Sequence, residues 1–597
     1  MENENPRNEY PRPQFIRSEW MSLNGVWQFE IDQGDSGLAR GLVTQDFTGK
    51  IIVPFCPESE LSGVGNTDFL NSVWYRRTVT IPERWAGKVI LLHFQAVDYD
   101  ASVWVNGVEV GRHRGGFSPF TCSLKGVAEA GTEATIVVRA RDSHLPPQPR
   151  GKQSQRYEKY SCLYTRTTGI WQTVWMEPVP EISLLRPRIT PDAGGSRFIV
   201  QQALSGSQPG LRLKMELSNP QGPVCAVEIA ADRDLAPVGI LNIPAELCRL
   251  WEPGNPFLYD LSISLIDALG NTIDQAQCYA GLRSIVIEGK QVKINNKTVF
   301  QRLVLDQGYY PDGILTAPSD AALIEDIQLS LAAGFNGARL HQKVFEERFL
   351  YHADRLGYLV WGEFPDWGCG HYGTESDHQQ PGPSYITQWL EVIERDYSHP
   401  CIIGWCPLNE TWQVLEDRIS VLDDVTRGMF LATKALDQTR PVLDASGYSH
   451  RVPESDIYDS HNYEQDVEKF AAEMAGLAHG QPYLNQHVGK AISIPYRNQP
   501  YFVSEFGGIW WNPAARQGED SWGYGNPPAS LAEFYQRFEG LCNTLLDNPA
   551  MFGYCYTQLT DVYQEQNGIY TFDRREKFDL KRLSDIQQRQ AAIEREG

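Results

Sequence analysis

Two glutamates each close a short apolar run: Ile403-Gly-Trp-Cys-Pro-Leu-Asn409-Glu410 and Phe502-Val-Ser-Glu505-Phe-Gly-Gly. A carboxyl at the end of a buried strand stands at the edge of a core, where it can face a ligand. If both runs end at one mouth, the pair suits cleavage of a glycosidic bond. One carboxylic acid would protonate the leaving oxygen while the other carboxylate attacks or activates water, across an oxocarbenium-like transition state. A single rim glutamate is more often paired to Arg or Lys, so what matters is whether the chain brings these two together.

Beyond about residue 286, apolar runs alternate with amphipathic stretches. Strands are predicted at 299–305, 337–340, 358–364, 402–408, 441–445, 457–461, 501–505 and 552–558. Between most of them lie helical patterns such as 319–333, where Leu323, Ile327 and Leu331 recur on one face. Eight strand–helix units over about 310 residues predict a (β/α)8 TIM barrel, whose catalytic groups belong at the C-terminal ends of its strands. Glu410 then ends the fourth strand and Glu505 the seventh, across the lumen from each other.

The first 285 residues read differently. Gly25-Val-Trp-Gln-Phe-Glu-Ile, Val73-Trp-Tyr-Arg-Arg-Thr-Val-Thr-Ile and Lys88-Val-Ile-Leu-Leu-His-Phe are short strand-like runs separated by Pro and Gly. In Val103-Trp-Val-Asn106-Gly107-Val, the Asn-Gly pair supplies the positive φ angles of a type I′ hairpin turn. Strands continue through Arg212-Leu-Lys-Met-Glu-Leu and Leu258-Tyr-Asp-Leu-Ser-Ile-Ser-Leu, which suits an immunoglobulin-like sandwich acting as a brace. The expected domains are a β-sandwich over 1–180, an immunoglobulin-like sandwich over 181–285 and a catalytic barrel over 286–597.

Composition narrows the partners. The 597 residues are 42% hydrophobic and 21% charged, with a net charge of −22. That is a globular balance, and its sign disfavours nucleic acid, whose binding rests on cations. Met1-Glu-Asn-Glu-Asn-Pro-Arg lacks an apolar run, and stretches such as Val89-Ile-Leu-Leu fall far short of the ~20 residues of a membrane span. No membrane partner and a cytoplasmic location are therefore expected. The eleven cysteines include no C-x-x-C pair and read as buried small hydrophobes.

The motifs in order resemble glycoside hydrolase family 2, which contains β-galactosidases, β-glucuronidases and β-mannosidases. They run from Leu23-Asn-Gly-Val-Trp through Val105-Asn-Gly, Gly115-Gly-Phe-Ser-Pro-Phe, Thr168-Gly-Ile-Trp-Gln and Gly334-Phe-Asn-Gly-Ala-Arg-Leu. Further on come Asp354-Arg-Leu-Gly-Tyr-Leu-Val-Trp, Arg395-Asp-Tyr-Ser-His-Pro400, Asn409-Glu410 and Ser504-Glu505-Phe-Gly. The resemblance implies that the first sandwich is a sugar-binding-like jelly roll and that hydrolysis retains configuration. Glu410 then resembles the general acid/base and Glu505 the nucleophile. The charge of Glu505 would keep Glu410 protonated until the glycosyl-enzyme forms. Asn409 resembles the residue that bonds the sugar 2-hydroxyl. Tyr463, in Asp459-Ser-His-Asn-Tyr463, resembles the tyrosine that donates to the nucleophile.

Substrate-binding positions match less closely. After the second barrel strand the chain reads Arg339-Leu-His341-Gln342-Lys343, so His341 or Gln342 is expected to face the pocket. The Asn-x-Lys motif by which β-glucuronidases hold the uronate is replaced by Glu565-Gln566-Asn567. Lys343, Arg166 or Arg574 could then supply a cation. In the first-domain loop, Tyr164 and Arg166 are expected to reach the mouth. Trp367, Trp510 and Trp511 are candidate stacking platforms for a pyranose. Glu363 resembles a site that binds magnesium in some members, but the accompanying His is not in place, so neither a metal nor another cofactor is expected. The leading expectation is a retaining exo-β-glycosidase of β-galactosidase type, acting on small glycosides or oligosaccharides. A β-galacturonidase, β-glucuronidase or arabinopyranosidase would keep the chemistry and change the sugar. A carbohydrate-binding protein without turnover would have lost one of the two carboxylates. Family members are often dimers or tetramers, which leaves a homo-oligomer open.

Overall fold

In the computed structural model, residues 5–144, 147–368, 382–411, 413–487, 489–514 and 520–595 are described. Alternating apolar side chains build the first layers. Gly25–Ile31, Gly49–Val53, Ser72–Thr80, Asp100–Val105, Val108–Arg114 and Glu133–Arg141 form a six-stranded sheet. It faces a four-stranded sheet of Met21–Ser22, Val89–Phe94, Phe120–Ser123 and Val174–Val179. Trp27, Val73, Tyr75, Leu92 and Ile136 fill the space between them. Asn106 and Gly107 turn the hairpin with φ of 52° and 79°, as the Asn-Gly pair predicts.

The second sandwich packs a three-stranded sheet on the four strands Arg212–Asn219, Gly222–Ala230, Tyr259–Ile266 and Thr272–Ala280. Every second residue of Arg212–Asn219 is buried, which puts Leu213, Met215 and Leu217 on the core face.

Seven of the eight expected barrel strands join one parallel sheet. Their order is Ile402–Cys406, Leu359–Glu363, Gly337–Leu340, Gln301–Asp306, Met551–Thr557, Tyr501–Gly507 and Tyr458–Asn462. The expected strand at 441–445 forms no ladder and needs correction. It runs beside the fourth strand through two isolated parallel bridges, Trp405 to Val442 and Asn409 to Ser446. The physical reason lies in side chains. Asp456 and Asp459 accept the N–H groups of Val442 and Gly447, at 2.9 and 3.0 Å, in place of neighbouring carbonyls.

Outside the sheet, helix Asp320–Ala332 buries Leu323 and Ile327, and the Ser319 hydroxyl caps it at Ala322 N–H. Helix Val421–Leu436 starts from a capping box of Ser420 and Asp423. No helix among the described residues is long and apolar enough to cross a membrane.

Buried ions and backbone bonds lock the three layers together. Arg17 donates to Asp274 at 2.8 Å and to Glu177 at 2.9 Å, joining the two sandwiches. Trp251 Nε1 donates to Asp354 O at 2.7 Å, and Arg283 donates to Pro400 O and Ile402 O, so the second sandwich grips the fourth barrel strand. Burial raises the proton affinity of Glu177, but Arg12, His93 and Arg17 outweigh it and hold the carboxyl well below the usual range. Its contribution to stability is therefore present at neutral pH and is lost as acid protonates it. Arg17→Met takes the cation from Asp274 and leaves Glu177 to Arg12 and His93, and should cost about 3–5 kcal/mol in urea unfolding at pH 7. The deficit should shrink in acid. An equal deficit at both pH values would contradict this account.

Candidate active site

The site is built around one guanidinium. Arg339, on the second barrel strand, is fully buried and donates in four directions. Its Nε reaches Glu363 at 2.7 Å and Nη1 reaches Ser504 O at 2.6 Å. Nη2 reaches both Asn409 Oδ1 and Glu505 Oε1 at 2.7 Å. Four strand ends are thereby held in one geometry. Glu505 also accepts from Tyr463 at 2.5 Å, and Tyr463 lies flat on Tyr524 with ring centroids 3.4 Å apart. Burial and the charge of Glu505 keep the Tyr463 phenol protonated and a donor.

Glu410 sits across from this cluster with φ of 45° and a more open side chain than Glu505. Trp367 Nε1 donates to its Oε2 at 3.3 Å and His461 Nδ1 lies 2.7 Å from its Oε1. An oxygen of Glu410 and one of Glu505 lie within 4.8 Å of each other. An approach this close suits the paired carboxyls that glycoside hydrolysis needs. The charge balance departs from the sequence expectation. Burial does push the Glu410 carboxyl up, but the hydrogen bond and charge of His461, with Lys152 and Trp367 behind them, hold it below the usual range. The expected effect of Glu505 on its proton is outweighed by cations that strand-end reasoning did not place.

Lys152 is the second group that reasoning missed. It lies in a first-domain loop that reaches over the barrel mouth, where Gly151 N–H donates to Pro365 O at 2.6 Å. The ammonium sits 5.6 Å from the Trp367 ring centroid, and its side chain has no hydrogen-bond partner among the described residues. Burial opposes its charge, but Cys162 and the carboxyls of Glu565, Glu505 and Glu410 outweigh this and raise its proton affinity. Burial, Lys152 and Arg339 together drive the His341 imidazole well below its ordinary value.

The remaining expected residues divide. Asn409 has its Nδ2 buried without a partner, while its Oδ1 is held by Arg339. Gln342 has φ of 55° and both side-chain amide atoms unpartnered, whereas His341 is turned onto Glu363 and Arg339. Tyr164 donates to Glu565 and accepts from Gln307 at 3.1 Å. Trp367 acts as a donor to Glu410 where a stacking platform was expected.

Arg166 needs correction. Its guanidinium is used within the first domain, on the carbonyls of Thr67 and Arg156 and over the Phe69 ring. The two other proposed cations are also committed, Lys343 to the carbonyls of Gly308 and Leu315, and Arg574 to Asp326. Trp510 donates to Ser521 and Trp511 packs on Phe534 and Phe578, and the ring over Tyr463 is Tyr524. Glu363 does not fit a magnesium site. Arg339 takes one oxygen, and Gln342 N–H with His341 Nδ1 takes the other.

The comparisons with known proteins agree with this architecture. The model of the glycosyl hydrolases family 2 sugar binding domain matches residues 64–146, that of glycosyl hydrolases family 2 matches 199–283, and that of the family 2 TIM barrel domain matches 285–508. A barrel with such a pair at its mouth, behind these two sandwiches, is a glycoside hydrolase. The chain belongs to glycoside hydrolase family 2. It is 25% identical over 456 residues to a β-glucuronidase of Paenibacillus borealis, covering 72% of this chain and 74% of the relative. It is 25% identical over 385 residues to a β-galactosidase of Thermoanaerobacter pseudethanolicus, covering 62% and 48%. The Ruminococcus gnavus β-glucuronidase in complex with uronic isofagomine has the same fold, with a TM-score of 0.80 at 20% identity over 98% of this chain and 100% of that one.

Gly151 offers a direct test of the loop that carries Lys152. Its φ is 59°, and a Cβ there would lie 2.0 Å from Gln342 O. Gly151→Ala should therefore shift the loop. Strain of about 1–3 kcal/mol taken up in this way corresponds to a loss of about ten- to a hundredfold in kcat/KM on an aryl β-glycoside. Kinetics equal to wild type would show that the loop does not shape the site.

Proposed function

We propose that the protein is a retaining exo-β-glycosidase that removes a terminal β-linked hexuronide, with Glu410 as general acid/base and Glu505 as nucleophile. In the first step Glu505 attacks the anomeric carbon. The bond to the leaving oxygen breaks with its electron pair, and that oxygen takes the proton of Glu410. In the second, Glu410 takes a proton from water, whose oxygen displaces Glu505 from the glycosyl ester. Arg339 and Tyr463 hold Glu505 in line, and the unpartnered amide of Asn409 is placed to donate to the sugar 2-hydroxyl. Closure of the mouth by the first-domain loop supports a pocket and release from the chain end.

The observation that carries the hexuronide reading is the Lys152 ammonium. It is buried, feels the charges of both glutamates, and has no hydrogen-bond partner among the described residues. A sugar carboxylate would supply that partner through a charge-assisted bond. Lys152 would thus do from the first domain what the missing Lys of the Asn-x-Lys motif does elsewhere. The β-glucuronidases among its relatives are in keeping with this.

A second reading, the β-galactosidase type, is favoured by Glu565. Burial raises its proton affinity, Tyr164 and Asn567 donate to it, and it lies close enough to Glu505 and Lys152 to feel their charges. An acceptor there suits the hydroxyls of a neutral hexose.

Turnover of 4-nitrophenyl β-glucuronide, β-galacturonide, β-galactoside, β-mannoside and α-L-arabinopyranoside separates the two. Uronides should be preferred, and Lys152→Met should lower kcat/KM on them about 10- to 100-fold, the worth of a charged hydrogen bond. Cleavage of the galactoside alone would overturn the hexuronidase reading. Glu410→Gln and Glu505→Ala should each lower turnover by several orders of magnitude, and azide should restore the second with inverted product. Near-normal rates in either variant would refute the assignment of the pair.

A further inference from the structure

His461 ends the strand Tyr458–Asn462 beneath the mouth, and the roles above leave it unused. Its Nδ1 lies 2.7 Å from Glu410 Oε1 and 3.3 Å from Glu505 Oε2, between the two carboxylates. Both of those oxygens accept, so Nδ1 carries a hydrogen. Its Nε2 lies 3.0 Å from Ser446 Oγ. Ser446 Oγ also lies 3.0 Å from Asp459 Oδ2 and 3.2 Å from Ser504 Oγ, and Ser504 itself donates to Asp459.

The surroundings fix it there. Gly447, with φ of 86°, packs against the ring so closely that a Cβ would lie 2.6 Å from it. Asn485 clasps the His461 backbone at both N–H and C=O. Tyr448 covers the ring from 5.4 Å between centroids. Behind Ser446, burial works against the Asp459 charge, but His450, His461 and Ser504 outweigh it and keep Asp459 a carboxylate. His450 lies between Asp459 and Asp444, at 3.1 and 2.8 Å, so the network alternates in sign away from the mouth.

We propose, from the place of Nδ1 between two carboxyls, that His461 is a protonated positioning residue whose cation, shared between Glu410 and Glu505, sets the pH at which Glu410 changes from acid to base. This rests on the retaining reading of the two glutamates and goes beyond it. In the free enzyme with Glu410 ionised, the Nδ1–H faces two negative charges. Once Glu505 becomes a glycosyl ester its charge is gone, and the Nδ1–H bonds Glu410 alone. The same cation thus favours the carboxylate form of Glu410 in the step where it must accept a proton from water. No electron transfer or further reactant is involved. Arg339, His341 and Lys152 are the other cationic or basic groups near this cluster, with the Tyr448 phenol beside Glu410, and Arg339 bonds Glu505.

Removing the cation while keeping a polar side chain should raise the proton affinity of Glu410 in both states. An opposite charge this close is worth about 1–3 pH units. In His461→Gln, the alkaline limb of kcat/KM, which reports loss of the acid's proton, should move up by about one unit or more. With an activated aryl glycoside, the acid limb of kcat, which reports the base of the second step, should move up as well. A role confined to packing would lower rates without moving either limb. Limbs that coincide with wild type in a folded variant would overturn the proposal, as would complete loss of activity at every pH. Should His461→Gln fail to fold, His461→Asn is measured in the same way. In the wild type, histidine 15N resonances resolved against His461→Asn report whether both ring nitrogens carry protons at pH 7, and a neutral tautomer overturns the proposal. Glu410→Gln and Glu505→Ala, measured alongside, keep the two levels apart. If both are active, the reading of the pair fails. If both are inactive and the limbs stay in place, only the inference about His461 fails.

Discussion

A single buried cation holds the catalytic end of this protein in shape. Burying a guanidinium is expensive, and the cost is offset only when every donor finds a well-placed acceptor. Arg339 meets that condition with Glu363, Glu505, Asn409 and the carbonyl of Ser504. These acceptors come from three different stretches of the barrel wall, so satisfying the ion also fixes the relative height and orientation of the strand ends. The nucleophile candidate and the residue beside the acid candidate share one nitrogen, Nη2. A displacement of either would be felt by the other.

Around that ion the charges alternate, and this arrangement explains how a protein of net charge −22 can keep several cations beneath one pocket. Arg339 meets Glu363 and Glu505 at 2.7 Å, and the charges of Glu565, Glu505 and Glu410 raise the proton affinity of Lys152, so local pairing outweighs the distant surface field. The sandwiches enter this network directly. The second grips the fourth barrel strand through Arg283, and the first sends Gly151 and Lys152 over the mouth.

Much of this was legible in the residues. Period-2 and helical patterns, read with Pro and Gly as punctuation, locate seven barrel strands to within a residue or two and sandwich strands such as Gly25–Ile31. The rule that barrel chemistry lies at strand ends singled out Glu410 and Glu505. Segment 441–445 misled because its apolar pattern is that of a strand, while Asp456 and Asp459 take N–H groups that a ladder would have used. Lys152 was out of reach for another reason. It ends no strand and follows no periodicity, and its place depends on a close approach between Gly151 and Gln342 that exists only once two domains dock. Arg166 had the better local argument, yet carbonyls within ten to a hundred residues of it in the same domain satisfied it first. His461 stood in a segment already noted for Tyr463, but its partner lies 51 residues away in sequence.

The reach of the first sandwich over the barrel divides labour between two parts of the chain, each with its own core. Bond cleavage belongs to the barrel, while one wall of the pocket belongs to a domain that contributes neither glutamate. Recombination between relatives at the domain junctions could therefore exchange sugar preference while inheriting the hydrolytic apparatus intact. In a lineage of such enzymes, descent of the barrel and descent of specificity need not follow the same tree.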